Sequence, residues 1–417
     1  MKKIKGFLLN NFIPLFVVYY FTLFLDTTSL IVDYPHLETI SKIIRYIIYI
    51  PLAIRLFLLI PEYKELLFGT KWKEKTKLTK FIYIICTIMF IGLIISAITT
   101  SNRRNLFIIF VLLSAYKTDY KKIIKTTFIL QVALTGLTVL LSVLNITQDY
   151  IVARGAIKRH SLGFLYTTNL VQMYTFSSIL YIYSVGTKIT YRELFAMQLT
   201  NCLLYSLTNT RAEFIMLEII ILATIIIKIA QNKNKEVIIQ KIKNIYSKIF
   251  TYTFPVYPIL SFVMVMCYKF GGIWNNLNKL LSNRLKQTYY TIMQHGITPF
   301  GSKIEFLGLG LKEKEKYGEF TSNFVDNEYM QLMLSEGLVF IICFIVILSI
   351  LLLMLYKKGK YKEVILCSIY LLFGLINPRI VNLLYCPILF MIIPTFAEYK
   401  EIKQKSDEEV NNPKLYI

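Results

Sequence analysis

The chain has 417 residues, 55 % of them apolar, and its 47 basic against 25 acidic side chains leave a net charge of +22. Only 17 % are charged, where a soluble chain carries about a quarter. A large soluble catalytic domain is thereby excluded, and the bilayer is the expected solvent.

Apolar runs of roughly 17 to 25 residues recur from end to end, each near the length a helix needs to cross hydrocarbon. In chain order they fall near 11–31, 40–60, 79–99, 105–116, 123–145, 162–184, 193–208, 212–230, 249–269, 327–356, 363–376 and 380–397. Two of them, 105–116 and 363–376, are shorter than a full crossing and are read either as re-entrant pieces or as spans extending into flanking polar sequence. The expected fold is all-α, a polytopic membrane helix bundle of about twelve spans forming one integral membrane domain over residues 1–417. The first run lacks a small-residue exit and is followed by further spans, so no cleavable leader is expected. The lysines set the sidedness. With the N-terminus inside, the clusters at 2–5, 64–80, 117–125, 228–248 and 357–362 and the tail at 398–417 all lie on the cytoplasmic side, as retention of positive charge requires. Both termini are therefore expected in the cytoplasm. The six cysteines sit singly in or beside apolar runs, with no C-x-x-C pair, and read as small apolar side chains.

Arginine breaks the lysine pattern. Seven of the ten, Arg103, Arg104, Arg154, Arg159, Arg211, Arg284 and Arg379, fall at the outer ends of spans or in outer loops, where topology alone disfavours them. A guanidinium offers a planar fork of donors that grips phosphate or carboxylate oxygens in pairs. An outward site for a phosphate-bearing or acidic ligand follows, with contact to anionic lipid headgroups as the open alternative, best suited to the adjacent Arg103 and Arg104.

Three outer features could build that site. Residues 146–161 carry Arg154, Arg159 and His160. The run at 212–230 begins with Arg211 at the outer boundary, Glu213 just beneath and Glu218 about 10 Å deep; carboxylates so placed face a wet cavity or pair with a neighbouring span. Residues 270–326 form an outer loop of 57 residues containing Trp274, Arg284, His295, Glu305, a G-L-G-L stretch from Gly308 and, at its end, Asp326 and Asn327; loops this long usually carry function. Asp326 and Asn327 also suit a helix N-terminus, where either side chain would cap free N–H groups. All three histidines, His36, His160 and His295, lie in outer segments. No D-x-D, G-x-x-x-x-G-K-[ST], G-x-S-x-G or H-E-x-x-H occurs, so a metal-held nucleotide-sugar donor, ATP as energy source and the hydrolase and metalloprotease chemistries are not expected.

Four pieces, in order, carry a resemblance: R-H-S-L-G-F with a following N at Arg159–Asn169, T-N-T-R-A at Thr208–Ala212, S-N-R-L with P-F-G and G-L-G at Ser282–Gly310, and V-D-N-E-Y-M-Q-L-M-L-S-E-G at Val325–Gly337. Together they resemble the bacterial polysaccharide polymerases of the Wzy type, relatives of the O-antigen ligases, over roughly residues 150–340; the first 145 residues agree in hydropathy only. The resemblance implies a membrane glycosyltransferase of the bacterial cytoplasmic membrane, metal-independent and without a cofactor. It would join undecaprenyl-pyrophosphate-linked oligosaccharide repeat units into capsular or O-antigen polysaccharide on the outer face. Implied partners are the lipid-linked donor and acceptor, membrane lipids, and flippase and chain-length regulator proteins, with no nucleic acid. It assigns phosphate contact to Arg211 and Arg284, then Arg159, and base duty to Asp326, where the ligases typically have histidine. Arg154, His160, His295, Glu305, Asn327 and Glu213 complete the expected substrate-binding set. An O-antigen ligase differing only in acceptor, and a flippase or exporter of lipid-linked oligosaccharide, stay open beside it.

Overall fold

Apolar runs with no water to satisfy their backbone must close hydrogen bonds within themselves, and here they do so as helices. The computed structural model describes residues 9, 11–68, 76–154, 157–233, 235–318 and 322–398. The cytoplasmic tail expected at 398–417 lies almost wholly outside them. The N-terminal third is α1 (Phe12–Leu25), the short α2 (Leu30–Asp33), α3 (His36–Leu58), α4 (Ile60–Phe68), α5 (Lys77–Thr100), α6 (Arg104–Ser114) and α7 (Tyr120–Val143). An antiparallel hairpin follows, β1 (Ile151–Arg154) against β2 (Ile157–His160), with Val152 opposite Arg159. Then come α8 (Asn169–Val185), α9 (Tyr191–Thr208), α10 (Arg211–Asn232), α11 (Glu236–Thr253) and α12 (Val256–Cys267). The large loop contains α13 (Ile273–Leu280), α14 (Arg284–His295) and α15 (Leu311–Tyr317), and the chain closes with α16 (Glu328–Ser335), α17 (Leu338–Lys357), α18 (Tyr361–Phe373) and an apolar helix over Pro387–Glu398 that opens as a 3-10 turn.

The protein is thus mostly helical, with one small hairpin where a plain loop was expected. By length and apolarity three helices could cross a membrane, α5, α7 and α17. The bent pairs α3 with α4 (48°) and α11 with α12 (53°) bring the number to as many as five among the described residues. The bends fall beside Pro61 and Pro255, whose missing N–H and fixed φ interrupt a helix. Local polar signals set other helix starts: Thr76 and Asp119 cap α5 and α7, and Thr190 with Glu193 forms a capping box on α9.

Burial runs opposite to that of a water-soluble helix. On α10, Ile215, Ile219, Leu222 and Ile226 are 53, 58, 56 and 66 % exposed while Glu213 is buried. On α3, Ile43, Ile47, Ile50 and Phe57 are likewise bare. Contiguous apolar faces of this kind call for a partner of the same polarity. The core lies between α1, α8, α17 and α18. Phe176 stacks on Tyr370 at 5.1 Å, and Phe390 lies edge-on to Phe16 at 5.4 Å.

Two expected spans take a different shape. The run at 327–356 is cut at Glu336–Gly337, where Gly337 adopts φ +95° and would place a Cβ 2.3 Å from the Pro299 carbonyl oxygen. Gly301, at φ +85°, would meet the Ser335 carbonyl at 2.1 Å, so the P-F-G and S-E-G motifs interlock backbone to backbone. The run at 380–397 starts as non-helical chain: from Gly374 to Cys386 the backbone is irregular yet largely buried.

Candidate functional site

The irregular segment 374–386 is the centre of the site. Its sequence accounts for it: Pro378 has no N–H, Asn377 before it is steered to extended backbone, and Gly374 sits so close to Ile380 that a Cβ would lie 2.1 Å from its Cδ1. Buried backbone without a helical partner must be satisfied from elsewhere, and four elements supply the partners. Glu328 N–H donates to Gly374 O (2.8 Å), Asn327 Nδ2 to Leu375 O (2.9 Å) and Arg284 Nη1 to Ile376 O (3.0 Å), while Ile380 N–H donates to Glu328 Oε2 (2.9 Å). Gln131 Nε2 and the Tyr20 hydroxyl both donate to Leu384 O at 2.9 Å.

Two arginines meet here. Arg284, the first residue of α14, pairs through Nε with Asp326 Oδ2 at 3.1 Å, and both side chains keep about a third of their surface exposed. Arg379 donates from Nε to Gln172 Oε1 at 3.0 Å and lies over the Tyr385 ring, 4.7 Å from its centroid. Gln172 in turn donates to Glu213 Oε1 (3.1 Å), which also accepts from Asn377 Nδ2 (3.0 Å). Nη2 of Arg284 and both Nη groups of Arg379 make no hydrogen bond among the described residues, so three donor groups are left for a ligand. Burial pushes the Asp326 carboxyl above its ordinary range, opposed by Arg284 and Arg379. Two residues on, Glu328 is fully buried and accepts from the Ile380 N–H.

The large loop is held over this centre by close contacts. Gly308 and Gly310 lie under the Tyr166 ring, where a Cβ would come within 2.8 and 2.6 Å of ring carbons, and the Tyr166 hydroxyl donates to Glu313. Leu311 N–H donates to Leu165 O at 2.9 Å, and Lys312 pairs with Glu38 of α3 at 2.7 Å.

The expected residues divide. Arg284 and Asp326 are brought together. Asn327, not Asp326, caps α16 by accepting from Met330 N–H at 3.1 Å, and its Nδ2 also holds Ser261; this leaves the aspartate for the arginine. Glu213 belongs to the centre through Gln172, although it points away from solvent. Arg211 is exposed at the first position of α10 and makes no hydrogen bond or ion pair among the described residues. Arg159 braces the turn before it, donating to Thr208 O at 2.6 Å and reaching Thr210 Oγ1 at 3.5 Å. His160 pairs through Nδ1 with Asp149 at 2.5 Å, which fixes the hairpin base. Glu305 accepts from the Tyr317 hydroxyl within the loop, and His295 ends α14, where the helix dipole favours a cation. The side chain of Arg154 lies outside the described residues. Glu218 is paired with the neighbouring α9, accepting from Gln198 and Asn201.

Sequence reasoning counted Arg379 only among the outward arginines and assigned no role to Gln172, Asn377, Glu328 or Glu336. The last is buried and accepts from Ser96, Asn102 and Asn105 at 3.1, 3.0 and 2.7 Å. The available signals were N-P-R between two apolar runs and the two glutamates of the N-E-Y…S-E-G motif. Among the described residues no three His, Cys, Asp or Glu side chains gather where a metal ion could be held. The chain matches no protein-family model, no curated protein and no solved structure.

Proposed function

We propose that this protein is a membrane glycosyltransferase that polymerises undecaprenyl-pyrophosphate-linked oligosaccharide repeat units on the outer face of the bacterial cytoplasmic membrane. In this reading it has about twelve spans and both termini in the cytoplasm. The observation that carries it is the pair Arg284 and Arg379 around Asp326, with three guanidinium nitrogens unengaged on a buried helix break beneath the large loop.

An acceptor sugar hydroxyl attacks the donor's anomeric carbon, a new C–O bond forms, and the bond from that carbon to the diphosphate oxygen breaks. The hydroxyl proton passes to Asp326, which must be ionised to take it. Both electrons of the broken bond leave with the lipid diphosphate, whose negative charge the arginines stabilise in a partly dry setting. Arg284 touches Asp326 through Nε and keeps Nη2 for the phosphate, so one side chain aligns base and leaving group. Gln172 and Glu213 aim Arg379 from behind.

Deleting the gene and analysing lipid-linked sugars tests the reading. Single repeat units accumulating outside the membrane are expected. Units trapped inside would make the protein a flippase, and finished but unattached polymer a ligase. Reporter fusions near Trp274 and Gly308 are expected to report the outer side.

A further inference from the structure

A cavity of about 320 Å³ lies between α1, α3, α6 and residues 382–384 of the irregular segment, within the size range of small-ligand sites. None of the residues expected to carry the transfer lines it. Three cations, Lys42, Arg45 and Arg104, face it with a single carboxylate, Asp26. Arg45 is committed to Asp26 at 2.5 Å and to Thr22 O at 2.9 Å, and Lys42 to Glu38 at 2.7 Å. Arg104 is exposed, and its guanidinium makes no hydrogen bond or ion pair among the described residues. Glu328 and Glu336 attract it without touching it. It is also the first residue of α6, where free N–H groups already make the potential positive. A cation there is disfavoured by the helix dipole, and no carboxylate among the described residues contacts it directly.

The cavity reaches the outside of the bundle, since Tyr46 in its lining is 66 % exposed. On either side of Tyr46 along α3 lie Ile43, Ile47 and Ile50, exposed by 52, 58 and 61 %. A polar, cationic hollow beside a bare apolar face matches a molecule with an anionic head and a hydrocarbon chain.

We propose that this cavity is a second anion site that seats the phosphate-bearing head of an amphiphile, with Arg104 as its main contact and the isoleucine face of α3 along its hydrocarbon chain. The inference rests on the cavity and its lining, and it stands or falls separately from the transfer centre at Arg284. The neighbouring Arg103, exposed but outside the lining, supplies an internal control.

The test is native mass spectrometry of the purified full-length protein in detergent, titrated with farnesyl diphosphate, inorganic pyrophosphate or phosphatidylglycerol. Arg104→Gln is expected to weaken one binding event at least tenfold for a phosphate-bearing amphiphile. Arg104→Lys, which keeps the charge but loses the fork, should fall between, and Arg103→Gln should match the unaltered protein. Arg284→Gln should leave the Arg104-dependent event in place, separating it from the transfer centre. Dependence for farnesyl diphosphate alone supports a lipid-linked diphosphate as the occupant; equal dependence for phosphatidylglycerol supports a membrane phospholipid. Dependence for inorganic pyrophosphate without the amphiphiles would overturn the role given to α3. Binding of all three probes indifferent to Arg104→Gln, or equally reduced by Arg103→Gln, would overturn the site.

Discussion

Replacing Asp326 by asparagine separates catalysis from stability because the geometry assigns the two effects different sizes. The Arg284–Asp326 pair is 3.1 Å long, but both side chains are about a third exposed, so solvent screening holds its contribution to folding to roughly 0–1 kcal/mol. The substitution is isosteric, the α16 cap belongs to Asn327, and the expected fall in Tm is no more than about 4 °C. As a general base the same carboxylate is worth on the order of 100- to 10,000-fold in rate, or about 3 to 5 kcal/mol of barrier at 1.36 kcal/mol per tenfold. The assay is in vitro chain growth from purified lipid-linked repeat units, resolved as a ladder, beside thermal unfolding of the same sample in detergent. Acid should also slow the unaltered protein. Partial burial outweighs Arg284 and Arg379 and holds the carboxyl above its ordinary range, so activity is lost as pH falls through that raised value. Retention of more than about a tenth of the rate by Asp326→Asn would refute its role as base, and a rate loss that merely tracked loss of folded protein would refute the separation of the two effects.

Three further outcomes are expected. Gly301→Ala, which adds a Cβ 2.1 Å from the Ser335 carbonyl at φ +85°, should destabilise by more than the ~1 kcal/mol of an ordinary glycine replacement, read as lost folded yield; unchanged yield would show that the P-F-G and S-E-G backbones can part. Glu328→Ala, which removes the acceptor of the Ile380 N–H on the buried irregular segment, should destabilise by about 1–3 kcal/mol, read by chemical denaturation; unchanged stability would show that the segment is held without it. Arg211→Ala touches no described partner, so folded yield should hold while chain growth falls at least tenfold; unchanged growth would remove it from the phosphate-binding set.

The mostly helical character of this chain, with three to five helices apolar enough to cross a membrane, was legible in composition and period. Long apolar runs leave the backbone no partner but itself, and the bends beside Pro61 and Pro255 follow from a missing N–H. The Arg284–Asp326 pair was also within reach of sequence, because outward arginines and a carboxylate before a helix start are local facts. What sequence did not decide was how the last apolar runs fold. The runs at 363–376 and 380–397 read as two spans, yet the chain from the crowded Gly374 through Pro378 to Cys386 is irregular, and it is held because Tyr20, Gln131, Arg284 and the adjacent Asn327 and Glu328 come from four distant places to bond its backbone. Arg379 gains its setting the same way, through Gln172, Glu213 and Tyr385. Adjacent Arg103 and Arg104 look alike in the sequence, and only the packing of α1, α3 and α6 turns one of them into a cavity. Helix formation depends on neighbours along the chain, whereas satisfying a buried irregular backbone depends on side chains that only the folded chain brings close.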